Sequence, residues 1–167
     1  DTALRRFVDS MLGDERFVED LRSFCARLDT LGASNGLGQV LLKIASPGVP
    51  DIYQGTELWS QSLVDPDNRM PVDFELRRKL LAELELRDGD RATLVDELRE
   101  RWRDGAIKLH VIRCALGARR ISPELYRDGL YHPIQVHERV VAFAREHQSQ
   151  WAICAVARLT LAQAGGQ

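Results

Sequence analysis

The chain has 167 residues, of which 44% are hydrophobic and 29% charged, and its formal net charge is −2 at pH 7. This balance is ordinary for a soluble globular protein with one core or with parts of two domains. It gives no general attraction to nucleic acid or to an anionic membrane, and the sequence has no apolar run as long as a membrane span.

The number and spacing of the cysteines argue against a disulfide-bonded protein and against a cysteine metal site. Cys25, Cys114 and Cys154 are odd in number, far apart and set in apolar stretches. Without a CxxC pair or paired histidines, the pattern favours reduced, packed cysteines in the cytoplasm over disulfides or a metal site. No metal or cofactor is therefore expected.

The first part of the chain is predicted to be helical. Apolar residues at helical spacing predict helices over residues 2–12, 15–31 and 36–45, with the second helix ended by Gly32. The third is apolar nearly all round, which indicates burial on more than one side. Because the chain begins inside an amphipathic helix and ends just after a strand-like run, we expect it to be a piece of a longer chain.

A polar stretch between residues 46 and 74 follows these helices. Pro47 and Gly48 end the third helix, a short extended run over residues 50–54 predicts a buried strand, and a loop without helical or strand period continues to Phe74. A helix, a short buried strand and a long loop at the strand's carboxyl end are typical of a functional site on a parallel βα scaffold.

The second half changes from helical to extended. Spacing and composition predict helices over residues 75–87, 94–103 and 106–118, a helical turn at 122–126, and strands over 130–136, 140–145 and 151–157. The strand order suggests an antiparallel meander, and we place a domain boundary near Asp128. Trp102 and Trp151 are assigned to the core, and the basic run from Arg77 to Lys79 to the solvent.

The loop carries side chains of the kind that bind sugars. It brings together carboxylates, amides, an arginine and aromatic rings: Tyr53, Gln54, Glu57, Trp59, Asp65, Asp67, Asn68, Arg69 and Asp73. Carboxylates and planar amides bind paired hydroxyls, and aromatic faces cover the apolar side of a pyranose. By themselves the residues favour a plainer alternative, a loop in which Asp-Pro-Asp-Asn satisfies its own backbone.

The amino-acid sequence of residues 47–59 and 62–74 closely resembles that of the maltooligosyltrehalose synthase family, which is part of the α-amylase superfamily (glycoside hydrolase family 13). Weaker similarity extends over residues 4–12, 105–110, 123–126, 140–145 and 151–152. One departure is Met70, which stands where the family usually has a second arginine.

The resemblance implies a fold. The chain would be mainly α with a C-terminal antiparallel β segment, and it would form the terminal part of a (β/α)8 TIM barrel. Residues 1–74 would supply the last barrel helix, the eighth strand and its loop. Residues 75–127 would be a helical elaboration, and residues 128–167 the start of a C-terminal β domain.

The resemblance also implies a function for the intact enzyme in trehalose biosynthesis. The reducing-end α-1,4 linkage of a maltooligosaccharide would become an α,α-1,1 linkage by intramolecular transglucosylation, a retaining reaction that excludes water. The family's catalytic carboxylates lie on earlier strands, so this piece is expected to be inactive alone. Substrate contacts are assigned to Asp67, Asn68, Arg69, Tyr53, Gln54, Glu57 and Trp59. The competing hypotheses are a non-catalytic helical interaction domain and a maltodextrin-binding module.

Overall fold

A computed structural model describes residues 2–62 and 69–160. In these ranges the helices are α1 (Thr2–Leu12), α2 (Glu15–Ala45), α3 (Phe74–Leu86), α4 (Arg91–Glu100), α5 (Ala106–Ile121) and α6 (Pro123–Arg127). A 3-10 turn (Trp102–Asp104) joins α4 to α5. No helix in this part of the chain is long and apolar enough to cross a membrane. The predicted mainly α class is confirmed.

The chain then forms an antiparallel sheet. Strands β1 (Leu130–Ile134), β2 (Val140–His147) and β3 (Gln150–Ala157) pair in the order β1-β2-β3. In this register Phe143 on the central strand lies opposite Pro133 on one side and Cys154 on the other. The predicted meander is therefore confirmed, with boundaries within two residues or so of the sequence-based ones.

The helix α2 corrects one prediction, because it runs without a break through Gly32 to Ala45. A glycine inside a helix costs only about 1 kcal/mol relative to alanine, and packing can offset that. Val40 and Ile44 at the C-terminal end of α2 are buried. Gly38 faces the sheet, and a Cβ there would meet Cβ of Val156 at 3.5 Å, an ordinary van der Waals distance.

The strand predicted over residues 50–54 is not formed within the described residues. Residues 51–53 are irregular and residues 54–57 form a turn. Extended backbone becomes a strand only when a neighbouring strand takes its hydrogen bonds. Here the carbonyl of Asp51 accepts instead from Nζ of Lys43, at 3.1 Å.

Buried residues link the loop to the helices. In the described part of the chain, α2 packs on α5 through Val40, Ile44 and Ile112 and on the sheet through Ala45, Phe143 and Cys154. A further cluster joins α3, α4 and α5 around one residue of the polar loop: Leu58, Leu80, Leu84, Leu94, Leu98, Ala106 and Leu109. Leu58 therefore anchors the loop against the helical region.

Three side chains assigned to the interior are exposed. Trp151 is 55% exposed, and its ring stacks on that of His132 with centroids 5.4 Å apart. Cys25 and Cys114 are exposed as well, whereas Cys154 is buried as predicted. These predictions failed because apolar neighbours in sequence do not specify which face of a helix or strand meets another element.

Candidate functional site

The polar loop begins with a tight turn. Gly55 has φ +90°, a region that favours glycine, and a Cβ there would lie 3.1 Å from Cγ2 of Val72. The Thr56 hydroxyl donates to the carbonyl of Tyr53 at 2.6 Å, and the Thr56 N–H donates to the same oxygen at 3.0 Å. The turn thus brings the two sides of the loop, at residues 55 and 72, into contact.

Glu57 and Arg77 brace this turn. Oε2 of Glu57 accepts a hydrogen bond from Nε of Arg77 at 2.8 Å and another from the Gly55 N–H at 3.0 Å. Arg77 also donates to the carbonyls of Gly55, at 2.6 Å, and Asp73, at 2.9 Å. The guanidinium therefore holds the start of the loop against the start of α3.

Trp59 is tied to the helical region. Its Nε1–H donates to the carbonyl of Trp102 at 2.6 Å, and the two rings meet nearly at right angles with centroids 6.1 Å apart. Nζ of Lys108 donates to the Leu58 carbonyl at 3.2 Å and lies 5.6 Å from the centre of the Trp59 ring. Burial lowers the pKa of Lys108, the charge of Lys43 lowers it further, and Glu57 partly opposes both.

A small cavity opens between the two sides of the loop. Its volume is about 210 Å³, and its wall includes Tyr53, Gln54, Trp59, Ser60 and Met70. Tyr53 remains 48% exposed although its carbonyl is engaged in the turn. Tyr53, Gln54 and Trp59 therefore border one open cavity, and the exposed lining of this cavity is mostly polar.

The structure brings together only part of the predicted site. Tyr53, Gln54 and Trp59 line the cavity, whereas Glu57 lies behind them as a brace. Arg69 immediately precedes Met70, which lines the cavity. Asp67 and Asn68 lie outside the described residues. Asp73 accepts from the Leu76 N–H at 2.8 Å and caps α3, a structural role.

Arg77, Trp102 and Lys108 support the site, and none of the three was among the residues predicted for it. Arg77 was assigned to the solvent, but its side chain is only 16% exposed. A signal existed: Arg77 precedes Leu80 and Leu84, the buried residues of α3, by helical spacing. Trp102 and Lys108 gave no such signal, because their contacts with residues 58 and 59 span more than forty positions.

The described residues include no group of three or more side chains that could hold a metal ion. The residues that line the cavity carry hydroxyl, amide, carboxylate and guanidinium groups beside aromatic side chains. Such a combination suits a polyhydroxylated ligand.

Comparison with known proteins adds family information, although no protein-family model matches the chain. Two Mycobacterium tuberculosis proteins (strains CDC 1551 / Oshkosh and ATCC 25618 / H37Rv), named as candidate maltooligosyl trehalose synthases, are 36% identical over 151 residues. The match covers 84% of this chain but 17% of each of those proteins.

Solved structures that are similar to this chain are also maltooligosyl trehalose synthases. A maltooligosyl trehalose synthase crystal structure superposes with a TM-score of 0.76 and 30% identity, over 85% of this chain and 19% of that one. The crystal structure of a hypothetical maltooligosyl trehalose synthase of Sulfolobus tokodaii superposes with a TM-score of 0.74 and 29% identity. This match covers 93% of this chain and 20% of that one. By sequence and by fold, the chain is therefore a homologue of one segment of the maltooligosyl trehalose synthases.

Proposed function

We propose that this chain supplies a substrate-contacting loop to an enzyme that forms maltooligosyltrehalose. The enzyme would convert the reducing-end α-1,4 linkage of a linear maltooligosaccharide to an α,α-1,1 linkage. The observation that carries the proposal is the open wall of Tyr53, Gln54 and Trp59, held by the Arg77 brace, in a chain homologous to these synthases.

The wall has a chemical task in such a reaction. In a retaining transglucosylation the terminal glucose leaves, stays bound, turns, and attacks the glycosyl-enzyme through its own anomeric hydroxyl. The site must hold that glucose and keep water out, or hydrolysis competes. The rings of Tyr53 and Trp59 can cover its apolar face, and the Gln54 amide can bind two hydroxyls.

The remaining predicted contacts belong to the same proposal. Asp67, Asn68 and Arg69 would contact the bound sugar from the loop, because a guanidinium can pair with a carboxylate and donate to a hydroxyl together. The catalytic carboxylates would come from other parts of the enzyme, so this chain alone would not turn over substrate.

The architecture proposed for the whole enzyme follows from the resemblance. Residues 1–74 would complete a (β/α)8 barrel, with residues 50–54 pairing as the eighth strand when barrel neighbours are present. Residues 75–127 would form the helical elaboration and residues 128–167 would begin a C-terminal β domain. Three free cysteines fit a reducing compartment such as the cytoplasm.

A product assay tests the proposal. The natural polypeptide that contains this chain is incubated with maltohexaose, and reducing ends and free glucose are measured over time. We expect reducing ends to disappear with little release of glucose. Reducing ends that increase together with glucose would identify a hydrolase instead, and unchanged substrate would also contradict the proposal.

Variants locate the activity at the loop. Arg69→Ala and Tyr53→Ala should lower turnover or raise the share of hydrolysis while the polypeptide stays folded. Val49→Ala is the matched control for Tyr53, because Val49 is 94% exposed just before the turn. If both loop variants kept the wild-type rate and product ratio, Arg69 and Tyr53 would not be substrate contacts.

A further inference from the structure

Trp59 also faces a second concave surface. A groove of about 740 Å³ lies between the middle of α2 and the 3-10 turn before α5. Its wall combines Trp59, Trp102, Arg103, Lys108, Asp29 and Gln61. Trp59 and Ser60 line both this groove and the smaller cavity of the loop, so the two concave surfaces share a wall.

The groove offers two aromatic surfaces at different angles. The rings of Trp59 and Trp102 are inclined by 77°, and both are only partly buried. The guanidinium of Arg103 lies 4.5 Å from the centre of the Trp102 ring. Indole surfaces flanked by hydrogen-bond donors suit successive sugar units, which present apolar faces and hydroxyl edges in alternation.

Charged groups of both signs border these rings. Nη2 of Arg103 and Oδ2 of Asp29 lie 3.9 Å apart across the groove, and their side chains are 66% and 46% exposed. An exposed pair at this distance contributes little to stability, so its groups stay available to a ligand. A guanidinium and a carboxylate side by side can donate to one hydroxyl and accept from the next.

Two glycines on α2 keep the groove open. Gly32 and Gly36 form the wall that faces the tryptophans. A Cβ on Gly36 would lie 3.4 Å from the Trp59 ring, whereas a Cβ on Gly32 would meet nothing within 4 Å. The space beside Gly32 is therefore free for a ligand and is removed by any large side chain placed there.

We propose that this groove binds a stretch of linear α-1,4-glucan beyond the sugar held in the loop cavity. The choice of ligand rests on the proposed function, and the groove supplies aromatic side chains and paired polar groups, with Arg103 and Lys108 as cations and Asp29 as the carboxylate. A glucan that passes Trp59 would occupy the cavity on one side of this residue and the groove on the other. The groove would bind glucose units of the glucan that lie outside the loop cavity, so it favours longer substrates.

Gly32→Leu is the variant that tests the groove. Leucine fills the space beside Gly32, and because it forms helices better than glycine it does not threaten the fold of α2. Gly117→Leu is the matched control: Gly117 lies in α5, has nothing within 4 Å of a built Cβ, and lines a different surface depression. The same bulk is thus added to a helix outside the groove.

The measurement is the binding of maltoheptaose to the 167-residue chain, followed by tryptophan fluorescence and by nuclear magnetic resonance. We expect Gly32→Leu to bind about tenfold more weakly than the wild type, and Gly117→Leu to bind within about twofold of it. Arg103→Gln should weaken binding severalfold as an independent check on the polar border of the groove. Cellohexaose, which has β-1,4 linkages, should bind more weakly than maltoheptaose.

The outcomes separate this inference from the proposed function. If Gly32→Leu and the wild type bound maltoheptaose equally well, the proposal that the groove binds glucan would be overturned. The loop cavity would then remain as the binding surface. Absence of maltoheptaose binding to the wild-type chain would overturn the inference too. Neither result bears on the product assay with maltohexaose, in which the proposed function stands or falls on its own.

Discussion

The side chains of Glu57 and Arg77, twenty positions apart, meet at 2.8 Å, and the same Glu57 oxygen accepts the N–H of Gly55 at 3.0 Å. One carboxylate oxygen thus joins the turn to the helix α3. Both side chains are largely shielded, at 25% and 16% exposure, so water replaces the bond poorly when one partner is removed.

We therefore expect Arg77→Met to lower the free energy of unfolding of the chain by about 1–3 kcal/mol. It should also speed amide hydrogen exchange at residues 53–58, because the Gly55 and Asp73 carbonyls lose a donor. Urea denaturation and hydrogen-exchange mass spectrometry measure the two effects. Adding Glu57→Gln should cost less than the sum of the single changes, since the two residues act as a unit.

The control is Arg78→Met on the same helix. Arg78 pairs with Glu75 at 2.8 Å, but the side chains are 72% and 85% exposed, so the change should stay within about 0.5 kcal/mol. Equal effects of Arg77→Met and Arg78→Met would show that the Arg77 brace does not hold the loop.

Arg119 plays a comparable part at the other end of the site, where α2 ends. Its Nη1 donates to the carbonyls of Ile44 at 2.6 Å and Ser46 at 3.2 Å, and its Nη2 donates to that of Gly48 at 2.7 Å. A cation at a helix C-terminus also interacts favourably with the helix dipole.

Replacing Arg119 by methionine should therefore cost about 1–2 kcal/mol of unfolding free energy in urea denaturation. The neighbouring Arg120 is exposed, and Arg120→Met should leave the stability within about 0.5 kcal/mol. If Arg119→Met were as stable as the wild type, the cap would contribute nothing to the end of α2.

Local patterns in the sequence were enough to predict most of the elements. Helical spacing found α1, α3 and α5, and β-branched and aromatic runs found the meander, because these elements bury one face in a regular period. The same reasoning split α2 at Gly32, since the packing of its C-terminal end on α5 and the sheet comes from residues far along the chain.

Composition suggested the candidate site but by itself favoured an ordinary loop, and it carried no information on the site's geometry. Tyr53, Gln54 and Trp59 were assigned as sugar contacts because sugar sites use those residue types, and in the structure all three line one cavity. The roles of Glu57 and Arg77 depend on a contact across twenty positions, which no periodicity specifies. Likewise, residues 50–54 carry the composition of a strand, yet without hydrogen-bonded neighbours among the described residues they take an irregular path.

Gly105 offers a test of how closely the loop packs on the helical region. It has φ +81°, and a Cβ there would lie 3.0 Å from both Cβ of Leu58 and the backbone nitrogen of Trp59. Gly105→Ala should cost about 1–3 kcal/mol of unfolding free energy and shift the fluorescence of Trp59, because the loop must move outward. Gly117→Ala, inside α5 with free space around it, should instead stabilise by up to about 1 kcal/mol. A harmless Gly105→Ala would mean that this close approach is not required.

His110 makes the stability of the chain depend on pH. Burial lowers its pKa, the positive charges of Arg113 and Arg91 lower it further, and Asp88 opposes them. Its Nδ1 is buried without a hydrogen-bond partner among the described residues. In the unfolded chain the ring takes up a proton near pH 6.5, whereas in the folded chain it does so only at lower pH.

Between those two values the unfolded state binds more protons, so the free energy of unfolding falls as the pH falls below about 6.5. Urea denaturation at pH 7.5 and 5.5 should show this loss in the wild type and a smaller one in His110→Gln. Asp88→Asn removes the opposing charge and should make the loss larger. The pKa of Asp88 is itself lowered by its hydrogen bond to Arg113, so Asp88 does not titrate in this window. An identical pH dependence in His110→Gln and the wild type would assign the loss to other groups.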